Sequence, residues 1–192
     1  MSNVQSDNMF SVPIWRIRTK DWKRKKKEIK KHIDFKRIEK KGAHTFSTDR
    51  QALRREGTSY IPQFSDIFKD ELDSFLDQIK RDQMIITDIW TVTYKKHELQ
   101  SIHNHGSKGF SSILFLDFDP KKHTPTCFIS PFPDPFTDST SWYVPNDIKE
   151  GDFIFFPSLV LHHFMPNQSY KIRRCIGFDI QTMDSSQYGM GK

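Results

Sequence analysis

Apolar positions change their period partway along this chain. Up to about residue 83 they recur at helical spacing, and beyond it they alternate or run together as in strands. The segment "FSVPIWRIR", residues 10–18, is the early exception: it reads as a strand, and Pro13 confines it to a sheet edge. Residues 21–32 form a basic helix, with Trp22, Ile29 and Ile33 at roughly helical spacing. Residues 35–63 are polar, with turn character and no clear period. "SDIFKDELDSFLDQIKRD", residues 65–82, predicts a second helix. Ile67, Phe68, Leu72, Phe75, Leu76 and Ile79 form its apolar stripe, and Ser65 is the expected N-cap.

From Met84 the chain is β-branched and aromatic. "MIITDIWTVTYKK", "GFSSILFLDFD", "TPTCFIS", "SWYV", "GDFIFFP", "LHHFMP" and "IRRCIGFDI" read as short strands separated by Pro, Asp, Asn and Gly turns. That punctuation predicts a sandwich or barrel of antiparallel sheets. Helices first and strands afterwards give an α+β layout, with the helices covering one face of the larger sheet. The 192 residues fit a single domain: an α-rich support over 1–83 and a strand core over 84–182. "SPFPDPFTDSTS", residues 130–141, is the expected mobile loop.

Composition narrows the function classes. No apolar run approaches the ~20 residues of a membrane span, and the N-terminus lacks the layout of a secretory signal. Cys127 and Cys175 are too few for a disulfide framework and read as buried thiols, so a cytoplasmic location is expected. The net charge of +6 is concentrated in residues 16–41. Such a run suits nucleic acid or another acidic partner. The helical spacing of its apolar residues favours a docked amphipathic helix with lysines on the wet face.

The candidate chemistry begins in "LQSIHNHGSKGFSSILFLDF". His103 and His105 are two apart, so on an extended strand both imidazoles face one side and can share one ion. In "GDFIFFPSLVLHHFMPN" a returning strand carries His162 and His163, of which only one can point inward. In "KIRRCIGFDI" alternation puts Arg173, Cys175 and Gly177 on one face and Arg174, Ile176 and Phe178 on the other. An inward arginine is costly unless an anion pairs with it, and its planar fork fits a carboxylate.

Taken together, "W-x-V-x-Y", "H-N-H", "F-S-S-I-L-F-L", "G-D-F-I-F-F-P-S-L-V-L-H" and "R-R-C-I-G-F-D", within residues 90–179, resemble the 2-oxoglutarate/Fe(II) oxygenases often found in phage and marine bacterial genomes. The resemblance implies a double-stranded β-helix (jelly-roll) core, Fe(II), 2-oxoglutarate as co-substrate, release of succinate and CO2, and a virus-encoded origin acting in a host cell. Carried over by residue, His103 and His162 are metal ligands, the spacing from Pro157 selecting His162. Arg173 holds 2-oxoglutarate, with Arg174 as the adjacent competitor. His105 stands where the wider superfamily has a carboxylate, leaving three neutral imidazoles, or Glu98 as the third ligand. Phe115 stands where related enzymes often carry a tyrosine for the co-substrate, and Tyr94 or Ser112 are the substitutes. Hydroxylation of a protein side chain, a nucleic-acid base or a small metabolite is the implied outcome. Two other readings compete. One is a cupin-type three-histidine metal barrel that does not use 2-oxoglutarate. The other is a non-catalytic binding module working through its basic helix.

Overall fold

Two antiparallel sheets face each other in the computed structural model, which describes residues 11–41 and 46–183. In chain order the strands are β1 (Trp15–Arg18), β2 (Glu39–Lys41), β3 (Phe46–Thr48), β4 (Gln83–Tyr94), β5 (Gln100–His103), β6 (Phe110–Asp117), β7 (Cys127–Pro133), β8 (Thr140–Tyr143), β9 (Asp152–Pro157), β10 (His162–Phe164) and β11 (Arg173–Met183). The larger sheet runs β1-β9-β6-β11-β4-β3-β2 and the smaller β5-β10-β7-β8. Strands β9-β6-β11-β4 and the smaller sheet are the two halves of a double-stranded β-helix, in the expected α+β setting.

The larger sheet is buried on both faces, so its strands read as nearly continuous apolar runs. On β11, Ile176, Phe178 and Ile180 join the core beneath the helices, while Cys175 joins Trp90, Val92 and Tyr94 between the sheets. Abundant phenylalanine fills both layers. Phe75 stacks on Phe155 at 4.2 Å, and Phe64 meets Phe178 edge-on at 4.9 Å on the helix side. Phe128 meets Phe156 at 5.0 Å on the inner side. Gly151 turns the chain into β9 with φ +89° and lies against the Trp22 ring, where a Cβ would come within 2.6 Å, so the turn admits no side chain.

Helices α1 (Trp22–Ile29), α2 (Arg50–Glu56), α3 (Ile61–Ile67) and α4 (Lys69–Ile79) precede the core strands. The helix expected over 65–82 is thus two helices. Ser65 lies inside α3, and Phe68 caps the end of one and the start of the other. Phe68 is fully buried 5.3 Å from Phe153, so its burial rather than a polar cap sets the break. The basic helix is docked by Ile29 and Ile33, both buried. Three of its lysines also point into the protein. Lys25 pairs with Glu71 of α4 at 2.7 Å, both buried, and Lys26 and Lys30 reach Asp117 of β6 at 2.8 and 2.7 Å.

Two further expectations change. Residues 35–63 hold a 3₁₀ turn, β2, β3, α2 and the start of α3, elements too short to show a period. Residues 130–141 are largely a hairpin, with β7 paired to β8 through Pro133 and Thr140. The Asp134 carboxylate accepts N–H bonds from Phe136 and Thr137 and closes the turn. The early strand is confined to Trp15–Arg18, at the sheet edge as expected, and Phe10 lies outside the described residues.

Candidate active site

Three imidazoles converge at one end of the inter-sheet cleft. Antiparallel pairing of β10 with β5 sets His162 opposite His103, and the His105 N–H donates to the Ser158 carbonyl just past β9. One ligand atom from each of His103, His105 and His162 lies within 4.8 Å of the others. Each ring is oriented through Nδ1. That of His103 donates to the Ser101 carbonyl (2.8 Å), that of His162 to the Val160 carbonyl (3.0 Å) and that of His105 to Asp179 Oδ1 (2.8 Å). With the protons on Nδ1, the Nε2 lone pairs are the ones that can face a metal, although that of His103 accepts a bond from Gln100. Burial, reinforced by the neighbouring imidazoles, pushes His162 down to about 3, so it stays neutral at physiological pH. His163 turns to the opposite face and packs edge-on against Trp142 at 5.0 Å. Glu98 is outside the cluster: it is buried and its carboxylate accepts the Lys95 N–H.

Arg173 is joined to the histidines through Tyr94, whose hydroxyl bonds Gln100, which in turn bonds His103. The arginine is 1% exposed, and its guanidinium sits 4.4 Å from the Tyr94 ring centre and 4.1 Å from that of Phe164. Nη1 donates to the Thr124 carbonyl, but Nε and Nη2 are buried with no partner. Two unpaired donors on a sealed cation form a slot for an anion. Arg174 faces the other way and pairs with Asp117 at 2.9 Å. Ser112 lines the cleft but donates its hydroxyl proton to the Ile154 carbonyl (3.0 Å), and Phe115 is buried in the inner core.

Sequence reasoning missed two residues here. The first is Gln100, which bridges the arginine end and the histidine end. Its Oε1 accepts from the Tyr94 hydroxyl (2.5 Å) and its Nε2 donates to His103 Nε2 (2.9 Å). Pairing slips between His162↔His103 and Phe164↔Gln100, so two steps on β10 match three on β5. This bulge brings Gln100 and His103 to one face, which regular alternation forbids. The second is Asp179. It continues the inward series of Arg173, Cys175 and Gly177, so alternation alone was a sufficient signal.

Around Asp179 the contacts form a stack. Trp90 lies nearly parallel to His105 (5.4 Å, 17°), and the Arg50 guanidinium sits 3.9 Å from the Trp90 ring centre. Gly177 makes room for the indole: a Cβ there would lie 2.7 Å from it. Phe46, Arg50, Arg54, Trp90 and Asn104 line an outer cavity of about 660 Å³ that opens onto His103 and His105. Gln100 lines both this cavity and a narrow inner one of about 20 Å³.

Residues 88–179, a little under half of the chain, match the family described as "Putative 2OG-Fe(II) oxygenase". Through this segment the chain is similar to the 2OG-Fe(II) oxygenase family. No curated protein matches it significantly. Several solved structures share its fold. The α-ketoglutarate-dependent carbocyclase SnoK from nogalamycin biosynthesis aligns at 11% identity and TM-score 0.64, over 90% of this chain and 80% of that one. HygX from Streptomyces hygroscopicus, with nickel and 2-oxoglutarate bound, aligns at 10% and 0.57, over 88% and 83%. A Pseudomonas putida prolyl-4-hydroxylase aligns at 9% and 0.52, over 90% and 94%.

Proposed function

We propose that this protein is an Fe(II)- and 2-oxoglutarate-dependent oxygenase that hydroxylates its substrate and releases succinate and CO2. The observation that carries the reading is Arg173, a buried guanidinium with two unpaired donors, linked through Tyr94 and Gln100 to three convergent imidazoles. A metal barrel that does not use 2-oxoglutarate gives this arginine no task. HygX, which holds nickel and 2-oxoglutarate on the same fold, supports the reading further.

His103, His105 and His162 would hold the metal through Nε2, a nitrogen donor set that suits iron. Iron with 2-oxoglutarate and O2 supplies the oxidising power: one oxygen atom goes to succinate and the other to the substrate C–H bond. Arg173 would bind the distal carboxylate of 2-oxoglutarate through Nε and Nη2. Tyr94 is the better second partner for that carboxylate, because its ring lies 4.4 Å from the Arg173 guanidinium and its proton is held by a side chain, Gln100, whereas that of Ser112 is held by the Ile154 backbone. Tyr94 also stays protonated, since burial raises its pKa well above 10.0. Gln100 must release both Tyr94 and His103 Nε2 when metal and co-substrate bind. Substrate would approach through the cavity beside Trp90 and Arg50.

The test is succinate formation from 2-oxoglutarate in air with Fe(II). The wild type is expected to form succinate slowly even without substrate, and His162→Ala to form none. Iron uptake with neither succinate formation nor 2-oxoglutarate binding would return the protein to the metal-only reading.

A further inference from the structure

Three neutral imidazoles bring no charge to a dication, and a partly buried site of that kind binds a metal weakly unless a carboxylate stands near. The structure supplies one a single ring away. Asp179 Oδ1 accepts both the His105 Nδ1–H and the Ser111 hydroxyl, each at 2.8 Å. Arg50 shares this carboxylate only through a long bond, its Nη2 donating to Asp179 Oδ2 at 3.4 Å. It binds Asp88 more closely, through Nε at 2.8 Å and through Nη2 at 2.6 Å. Trp90 fixes the plane of the intervening imidazole.

From this geometry we infer that Asp179 is the charge-bearing member of the metal centre. It acts through His105 as a positioning residue, replacing the carboxylate that the first coordination shell lacks. Drawing the Nδ1 proton toward a carboxylate puts electron density on Nε2 and makes His105 a stronger donor. The negative charge also offsets part of the dication without occupying a coordination position. This inference rests on the metal centre proposed above.

The test is the affinity of the full chain for Co(II), measured by competition with a chelator, in the wild type, Asp179→Asn and Asp179→Ala. Asparagine keeps an acceptor for His105 and removes only the charge. The inference predicts Co(II) binding roughly 10- to 100-fold weaker in Asp179→Asn, with the visible Co(II) bands unshifted because the ring is still held. A merely structural role predicts wild-type affinity in Asp179→Asn and a loss only in Asp179→Ala, and that result would overturn the inference. Should neither variant fold, Asp88→Asn weakens the hold of Asp88 on Arg50 and leaves Arg50 to neutralise more of Asp179. Several-fold weaker binding then supports the inference, and unchanged affinity overturns it. A wild type that takes up no metal refutes the metal centre itself, an outcome distinct from equal affinities.

Discussion

Arg173 carries a stability penalty in the free protein, because two desolvated donors on its guanidinium have no acceptor. Arg173→Met is therefore expected to stabilise the ligand-free protein by about 1–3 kcal/mol. The same change should abolish the thermal stabilisation given by 2-oxoglutarate. Calorimetry with and without 2-oxoglutarate checks both, and a destabilised variant would show that the arginine is structural. Gln100→Ala removes one hydrogen bond competing for His103, so metal should bind about fivefold more tightly, measurable by chelator competition. Alternation in the sequence put His103 and His105 on one face and separated Arg173 from Arg174, and the family resemblance chose Arg173. Alternation would also have found Asp179, four residues beyond Cys175 on the same face. Gln100 was not legible, because the β5 bulge that turns it inward leaves no mark in the pattern of residue types.

At the level of elements, α1 shows how far a charge run can mislead. Lys25 and Glu71 form a buried pair, with side chains 4% and 3% exposed, that joins α1 to α4. Glu71→Gln leaves the ammonium buried without a counter-charge and is expected to destabilise the fold by about 3–5 kcal/mol. Adding Lys25→Met should recover most of that loss in urea unfolding. If Glu71→Gln is neutral, water must reach Lys25. The helix itself was legible from Trp22, Ile29 and Ile33. Its inward lysines were not, because a lysine buried against a partner from a distant helix looks like a lysine on a wet face. The Phe68 break between α3 and α4 was hidden for a similar reason: the apolar stripe runs through it unbroken.

Across the whole molecule, Asp117 is the point where helix layer and sheet are tied by charge. Lys26, Lys30 and Arg174 all reach it. Burial alone would raise its pKa, but the hydrogen bonds from these three cations outweigh burial and hold it down at about 2. A carboxylate depressed in the folded state contributes stability above its unfolded pKa, about 3.9, and loses it as pH falls toward 2. Acid should therefore remove about 2 kcal/mol across that window. Asp117→Asn should flatten the pH dependence of the urea midpoint there. The α+β plan was legible from the change of period near residue 83. The division into two sheets was legible from the short, punctuated strands, but not which strand joins which sheet, since strands buried on both faces show no alternation to reveal which face meets which layer. The measurement that tests the central claim most directly is an anaerobic titration of the metal-free protein with Fe(II) and then 2-oxoglutarate. It follows the weak visible charge-transfer band of chelated 2-oxoglutarate. A band in the wild type that disappears in His162→Ala and fades in Arg173→Met is the predicted result. Iron uptake without a band, or a band indifferent to both substitutions, would contradict it.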